Sequence, residues 1–149
     1  MTYLELYNAL NYVDHSRTKR REMSNLILNA PAHIKPLMEI AFQVDDPVSC
    51  KACWVLEFTA KEHLGYLFPS IDTFVHNIGS VHLDPAVRPI AKICEILMNS
   101  YFQLKDKETL GALNDEHLES ITSACFDWLI GDHKVAAKAY SMTSLLLLG

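Results

Sequence analysis

One phrase recurs three times along this chain. Asp45-Asp46-Pro47-Val48 leads to Ala52, Asp84-Pro85-Ala86-Val87 leads to Ala91, and Asp132-His133-Lys134-Val135 leads to Ala139. Each copy sets an Asp three residues ahead of a Val, and an Ala four residues after that Val. The Val positions lie 39 and then 48 residues apart, and the polar stretch from Gln103 to Gly111 falls where the second interval is longer. Repeats at such a period signal stacked helix pairs, each too small to bury its own apolar face.

The second helix of each unit is legible from its caps. Asp46 before Pro47 and Asp84 before Pro85 put an acceptor ahead of a proline at the first helical position, and Asp132 is expected to cap the third copy. Val48, Ala52, Val55 and Leu56 keep helical spacing, as do Val87, Ala91 and Cys94, and Val135, Ala139 and Met142. The recurrent small Ala lets neighbouring helices approach closely. Pro89 clashes with the carbonyl of Pro85, so that helix is expected to kink there or to become regular only near Arg88.

The first helices follow the same logic. Ile71, Phe74, Val75 and Ile78 form one apolar stripe ended by Gly79, and Leu118, Ile121, Cys125, Trp128 and Leu129 form another between an Asn114 cap and Gly131. Ile34, Leu37, Met38, Ala41 and Phe42 form the earliest, opened by Pro31 and disturbed by Pro36. An amphipathic segment from Tyr3 to Val13 and a more polar helix from Arg17 to Asn29 precede them. Hairpin dipeptides and sustained alternation are missing. The expectation is a single all-α domain over residues 1–149, with about eight helices in four antiparallel pairs.

Helix pairs of ~40–47 residues, with an Asp cap followed by Val and Ala, resemble HEAT and armadillo repeats over Pro31 to Leu148. That resemblance implies a right-handed α-α superhelix, a solenoid. A second resemblance rests on His15-Ser16-Arg17-Thr18-Lys19-Arg20, on Ala52-Cys53-Trp54-Val55-Leu56 and on Lys138-Ala139-Tyr140-Ser141-Met142-Thr143. These segments look like a group of short bacterial HEAT-like proteins often given an adenylosuccinate lyase label. The chain is too short for that enzyme family and carries no Gly- and Ser-rich signature loop of its kind.

Half of the residues are hydrophobic, 21% are charged and only five are Gly, which describes a folded helical chain. A formal net charge of -5 argues against general attraction to nucleic acid or anionic membrane. No apolar run approaches the ~20 residues that span a bilayer, and no basic segment with an apolar stretch opens the sequence, so the cytoplasm is expected. Cys50 and Cys53 form a C-x-x-C inside a helix with no strand before it, while Cys94 and Cys125 stand alone. All four are expected to be buried thiols. The apolar Leu145-Leu146-Leu147-Leu148-Gly149 must fold back over the last pair, dock on another chain or belong to a longer protein; a homodimer through it is expected.

Motifs of hydrolases, nucleotide-binding loops and zincins are missing, and no two histidines stand four residues apart. His76 falls among apolar residues and reads as a hydrogen-bonded structural histidine. Two basic sets are candidates for an anion or partner site. Arg17, Lys19, Arg20 and Arg21 are the densest cluster, with Arg17, Arg20 and Arg21 on one helical face. Lys51, Arg88, Lys134 and Lys138 stand on successive second helices, which line the concave side of a solenoid. The expected function is therefore a non-catalytic module, with no cofactor or metal, that binds a protein or peptide on its concave face. The alternative is a nucleic-acid-directed protein distantly similar to the alkylation-repair DNA glycosylases, for which Asp127-Trp128 is the acid–aromatic pair to inspect. Trp54 and Trp128 both fit apolar stripes and read first as core.

Overall fold

Helices and their connections account for the whole of the computed structural model, which describes residues 2–13 and 16–149. Asp14 and His15, the latter part of the sequence resemblance, lie outside the described residues. In chain order the helices are α1 (Tyr3–Asn11), α2 (Arg17–Asn29), α3 (Ile34–Ala41), α4 (Pro47–Glu62), α5 (Ile71–Asn77), α6 (Asp84–Met98), α7 (Lys107–Ala112), α8 (Asp115–Ile130) and α9 (Val135–Leu148). No strand occurs among the described residues. The ninth helix is one more than the sequence suggested. It is α7, folded within the polar stretch that lengthens the second interval, and the end of α6 widens into a π-helical turn over Asn99–Gln103 just before it.

Two of the expected caps hold. Asp46 accepts the N–H of Val48 at 2.9 Å, and Asn114 exchanges bonds with His117 in a capping box. Two do not. Leu83 flanks α6, so Asp84 lies inside the first turn, and its carboxylate meets His133 Nδ1 at 3.0 Å instead. Lys134 flanks α9, so Asp132 falls outside that helix. An Asp before a helix is a cap only when the chain turns into the helix at that residue.

The late start of α9 changes its register. Ala52 and Ala91 are fully buried, as the repeat predicts, whereas Ala139 is exposed and Val135 is 83% exposed. Ala137, Ser141 and Ser144 face the core in their place, two residues on from the expected set. The same rotation leaves Val135, Ala139, Met142 and Leu146 on the outer face of α9, while Leu145, Leu147 and Leu148 pack partly against the core.

The helices that follow the recurrent phrase lie in sequence, α4 on α6 and α6 on α9, and α2 extends the row by resting on α4. Across from them α1 meets α3 and α5 meets α8, with α3 against α4 and α8 against α9. Leu6, Leu37, Leu56, Phe74 and Ile90 are among the large side chains buried along one core. Histidine–aspartate pairs link segments distant in sequence: His82 to Asp45 at 2.8 Å, His117 to Asp72 at 2.5 Å and His133 to Asp84 at 3.0 Å. His76, by contrast, is exposed and pairs through Nδ1 with the carbonyl of Asp72 one turn back, so it is not a core residue. No helix among the described residues is long and apolar enough to cross a membrane.

The register of α9 can be tested directly. Ala137→Leu is expected to lower stability by about 1–3 kcal/mol through overpacking. Ala139→Leu should stay within about 0.5 kcal/mol of the parent, as surface substitutions do. Urea denaturation of the two variants distinguishes the frames; the repeat as written in the sequence requires the reverse order.

Candidate functional site

Charge is not spread evenly over this acidic chain. Arg17 and Arg20 from α2, Lys61 from α4 and Arg88 from α6 meet at one cleft of about 380 Å³, where Trp54, Phe58 and Pro85 are the apolar walls and Glu57 is the only carboxylate. Ser16 accepts the N–H of Lys19 at 3.2 Å, starting α2 so that Arg17 and Arg20 fall one turn apart on the side facing α4.

Glu57 organises the cations. Its residue is 3% exposed, and its two oxygens accept from Arg88 at 3.0 and 3.3 Å, while Lys61 stands 3.1 Å away. A carboxylate buried this far is stable only when such partners are present. Arg88 is thereby held across the gap between α4 and α6 by a planar two-bond fork.

The rings are platforms for the cations. The Arg20 guanidinium lies 4.4 Å from the centre of the Trp54 ring, and Arg21 and Lys61 lie 5.8 and 5.7 Å from that of Phe58. Trp54 is 6% exposed and Phe58 8%, so little ring surface is left for a ligand to stack on. Trp54 is thus a core residue, as its spacing suggested, whose edge also walls the cleft.

The indole N–H has a partner prepared by the sequence. Pro89 lies inside α6 and has no N–H to give the carbonyl of Pro85 one turn back. Trp54 Nε1 donates to that carbonyl at 2.8 Å. What reads along the chain as a helix defect is therefore an acceptor that fixes the tryptophan and pins α4 to α6.

Of the eight basic candidates, the structure brings Arg17, Arg20 and Arg88 to the cleft. Arg21 borders it, ion-paired to Glu62 at 3.2 Å. Lys19 lines a different cavity beside Tyr12 and Met23. Lys51 donates to the carbonyl of Asn11 at 2.8 Å and ties α4 to the end of α1. Lys134, just ahead of α9, and Lys138 within it do not line the cleft. Sequence reasoning missed Lys61 and Glu57, although their i, i+4 spacing on α4 was visible.

The remaining candidates separate from the cleft. Trp128 is buried at 3% while Asp127 beside it is exposed, so the two side chains do not share a site. All four cysteines are buried and unpaired. Burial pushes the Cys50 and Cys53 thiols up. The hydrogen bond with Cys125, with burial, raises Cys94, and the same bond lowers Cys125 against burial. No group of three or more potential metal ligands occurs among the described residues. The chain matches no family model, and no curated protein or solved structure matches it either.

Two measurements test this geometry. Trp54→Phe leaves the Pro85 carbonyl without a donor and is expected to cost about 1–2 kcal/mol. With Pro89→Ala the helix supplies its own N–H, so the cost should shrink by about 1 kcal/mol; additive effects in the double-mutant cycle would disprove the coupling. Arg88→Met should destabilise by about 2 kcal/mol, less than the ~3–5 of a fully buried pair, because Arg88 is 32% exposed and Lys61 remains. Adding Glu57→Gln to that variant should recover part of the loss in the same denaturation assay.

Proposed function

We propose that this chain is a short HEAT- or armadillo-like solenoid, a right-handed superhelix of paired helices, acting as a non-catalytic binding module. Its partner is a protein or peptide, held by an anionic group in the cleft between α2, α4 and α6. One observation carries this reading: four cations and a single carboxylate line one cleft in a chain whose net charge is -5. An excess of positive charge on an otherwise acidic molecule favours an anion at that place and few others. The row α2–α4–α6–α9 supports the solenoid, because stacked repeats pack like helix on like helix. The cleft lining has no Ser, Cys or His to act as nucleophile or base beside Glu57, which favours binding over catalysis.

The nucleic-acid alternative draws on the same cations. It is the weaker reading because single-stranded binding depends on exposed rings for base stacking, and Trp54 and Phe58 are covered. Duplex binding needs phosphate contacts along a track, whereas these cations surround one small cavity.

Calorimetric titration separates these readings. Hexaglutamate is expected to bind with Kd of about 10–100 μM at low salt, and to weaken as salt rises. Arg17→Ala with Arg20→Ala should weaken it about ten-fold, in line with ~1.5 kcal/mol for a charged hydrogen bond. Hexalysine should give no binding, and duplex DNA none tighter than about 10 μM at physiological salt. Tight, steeply salt-dependent duplex binding lost in the same variant would favour the alternative.

The apolar stripe Val135, Ala139, Met142 and Leu146 supports pairing of two copies through α9. Light scattering is expected to report a dimer that Met142→Glu converts to a monomer; a parent chain already monomeric at high micromolar concentration would exclude it.

A further inference from the structure

A second cavity, of about 440 Å³, continues the cleft along the same two helices, and Lys61 lines both. The first cavity lies between Trp54 and Glu57 of α4 and Pro85 and Arg88 of α6. The second lies between Ala60 and Lys61 of α4 and Ile96 of α6, with Leu64 and Asn99 from the segments that follow these helices. The two helices therefore run in the same direction, with one groove between them.

The two ends of this groove differ in chemistry. The first is cationic. The second has apolar walls from Leu64, Phe68 and Leu104, and an acidic rim from Glu108 of α7. The rim carboxylate lies over Gly65, where an added side chain would have to shift it. The neighbouring Asp106 is already committed, its Oδ2 accepting both the N–H and the hydroxyl of Thr109 at 3.0 Å. Between the two cavities Lys92 is paired to Glu95 at 2.6 Å, so that stretch of α6 offers no net charge.

We propose that the α4–α6 groove reads a peptide segment carrying both charges, with acidic residues in the cleft at Arg17 and Arg88 and one Lys or Arg in the second cavity. The stem of that basic residue lies on Leu64, Phe68 and Leu104, and its head meets Glu108. The inference rests on the cleft being an anion site. A purely apolar side chain in the second cavity would strip water from the Glu108 carboxylate without replacing it, whereas a long basic side chain covers the walls and pairs the charge. Spacing follows from helix geometry. The interval from Arg88 to Ile96 on α6 is about 12 Å at the helical rise. An extended chain covers that in about three to five residues.

Fluorescence anisotropy on the whole chain tests this. The probes are a labelled Glu-Glu-Gly-Ser-Gly-Arg peptide and its reverse order, each also made with Gly at either anchor. The better order is expected to lose about ten-fold in affinity when its Arg becomes Gly, and about ten-fold when its Glu pair does. Glu108→Arg, at an exposed position, should reverse the preference at the second anchor from Arg to Glu, and Glu108→Gln should abolish it. Unchanged helicity by circular dichroism accompanies both. If the Glu pair matters but Arg and Gly bind alike and Glu108→Arg changes nothing, the two-charge proposal falls while the anion cleft stands. If no acidic peptide binds, both fall. An oligothymidylate binding more tightly than every peptide would assign the groove to single-stranded nucleic acid instead.

Discussion

Glu57 is the residue on which the cleft depends. A carboxylate removed from water must be compensated within hydrogen-bond reach, and this one is compensated from two sides, by Arg88 on α6 and by Lys61 one turn along α4. Satisfying it draws α6 against α4 at a defined height and leaves the cations at the mouth of a cavity. The Trp54–Pro85 hydrogen bond crosses the same interface one turn earlier, so two polar contacts set the relative position of the helices. Apolar packing alone specifies that interface less sharply, since burial is non-directional.

The aromatic residues serve that arrangement. Arg20 over Trp54, and Arg21 and Lys61 over Phe58, hold like charges close together against their mutual repulsion. Cations ordered in advance lose less freedom when an anion arrives, which favours a small, compact ligand group. With both rings buried, what the cleft presents is charge and the shape of its walls.

Particular residues mark how far the sequence could be followed. The Asp46-Pro47 start, the fully buried Ala52 and Ala91, the Asn114 cap and the location of the inserted stretch were all readable, because each rests on local backbone chemistry. The third copy of the repeat misled. Asp132 matches its counterparts by spacing, yet α9 begins at Val135 and buries Ala137 in place of Ala139. Asp84 misled as well, since its carboxylate was claimed by His133, 49 residues away. Lys51 and Lys138 both stand on second helices of the repeat, but one is tied to α1 and the other stands on α9 away from the cleft.

By itself the sequence determined an all-helical class, roughly where every helix but α7 lies and, α9 apart, which faces of the main helices are apolar, because caps, prolines and the 3.6-residue period act within a few residues of one another. It also carried the density of basic charge at the start of α2. Which of those charges form a site was decided only in three dimensions. Arg17, Trp54, Glu57 and Arg88 come from three helices, and their meeting depends on the rotation of each helix about its axis. That rotation is set by packing against neighbours distant in sequence. The same cause turned Pro89 from an apparent flaw in a helix into the origin of the acceptor that Trp54 requires.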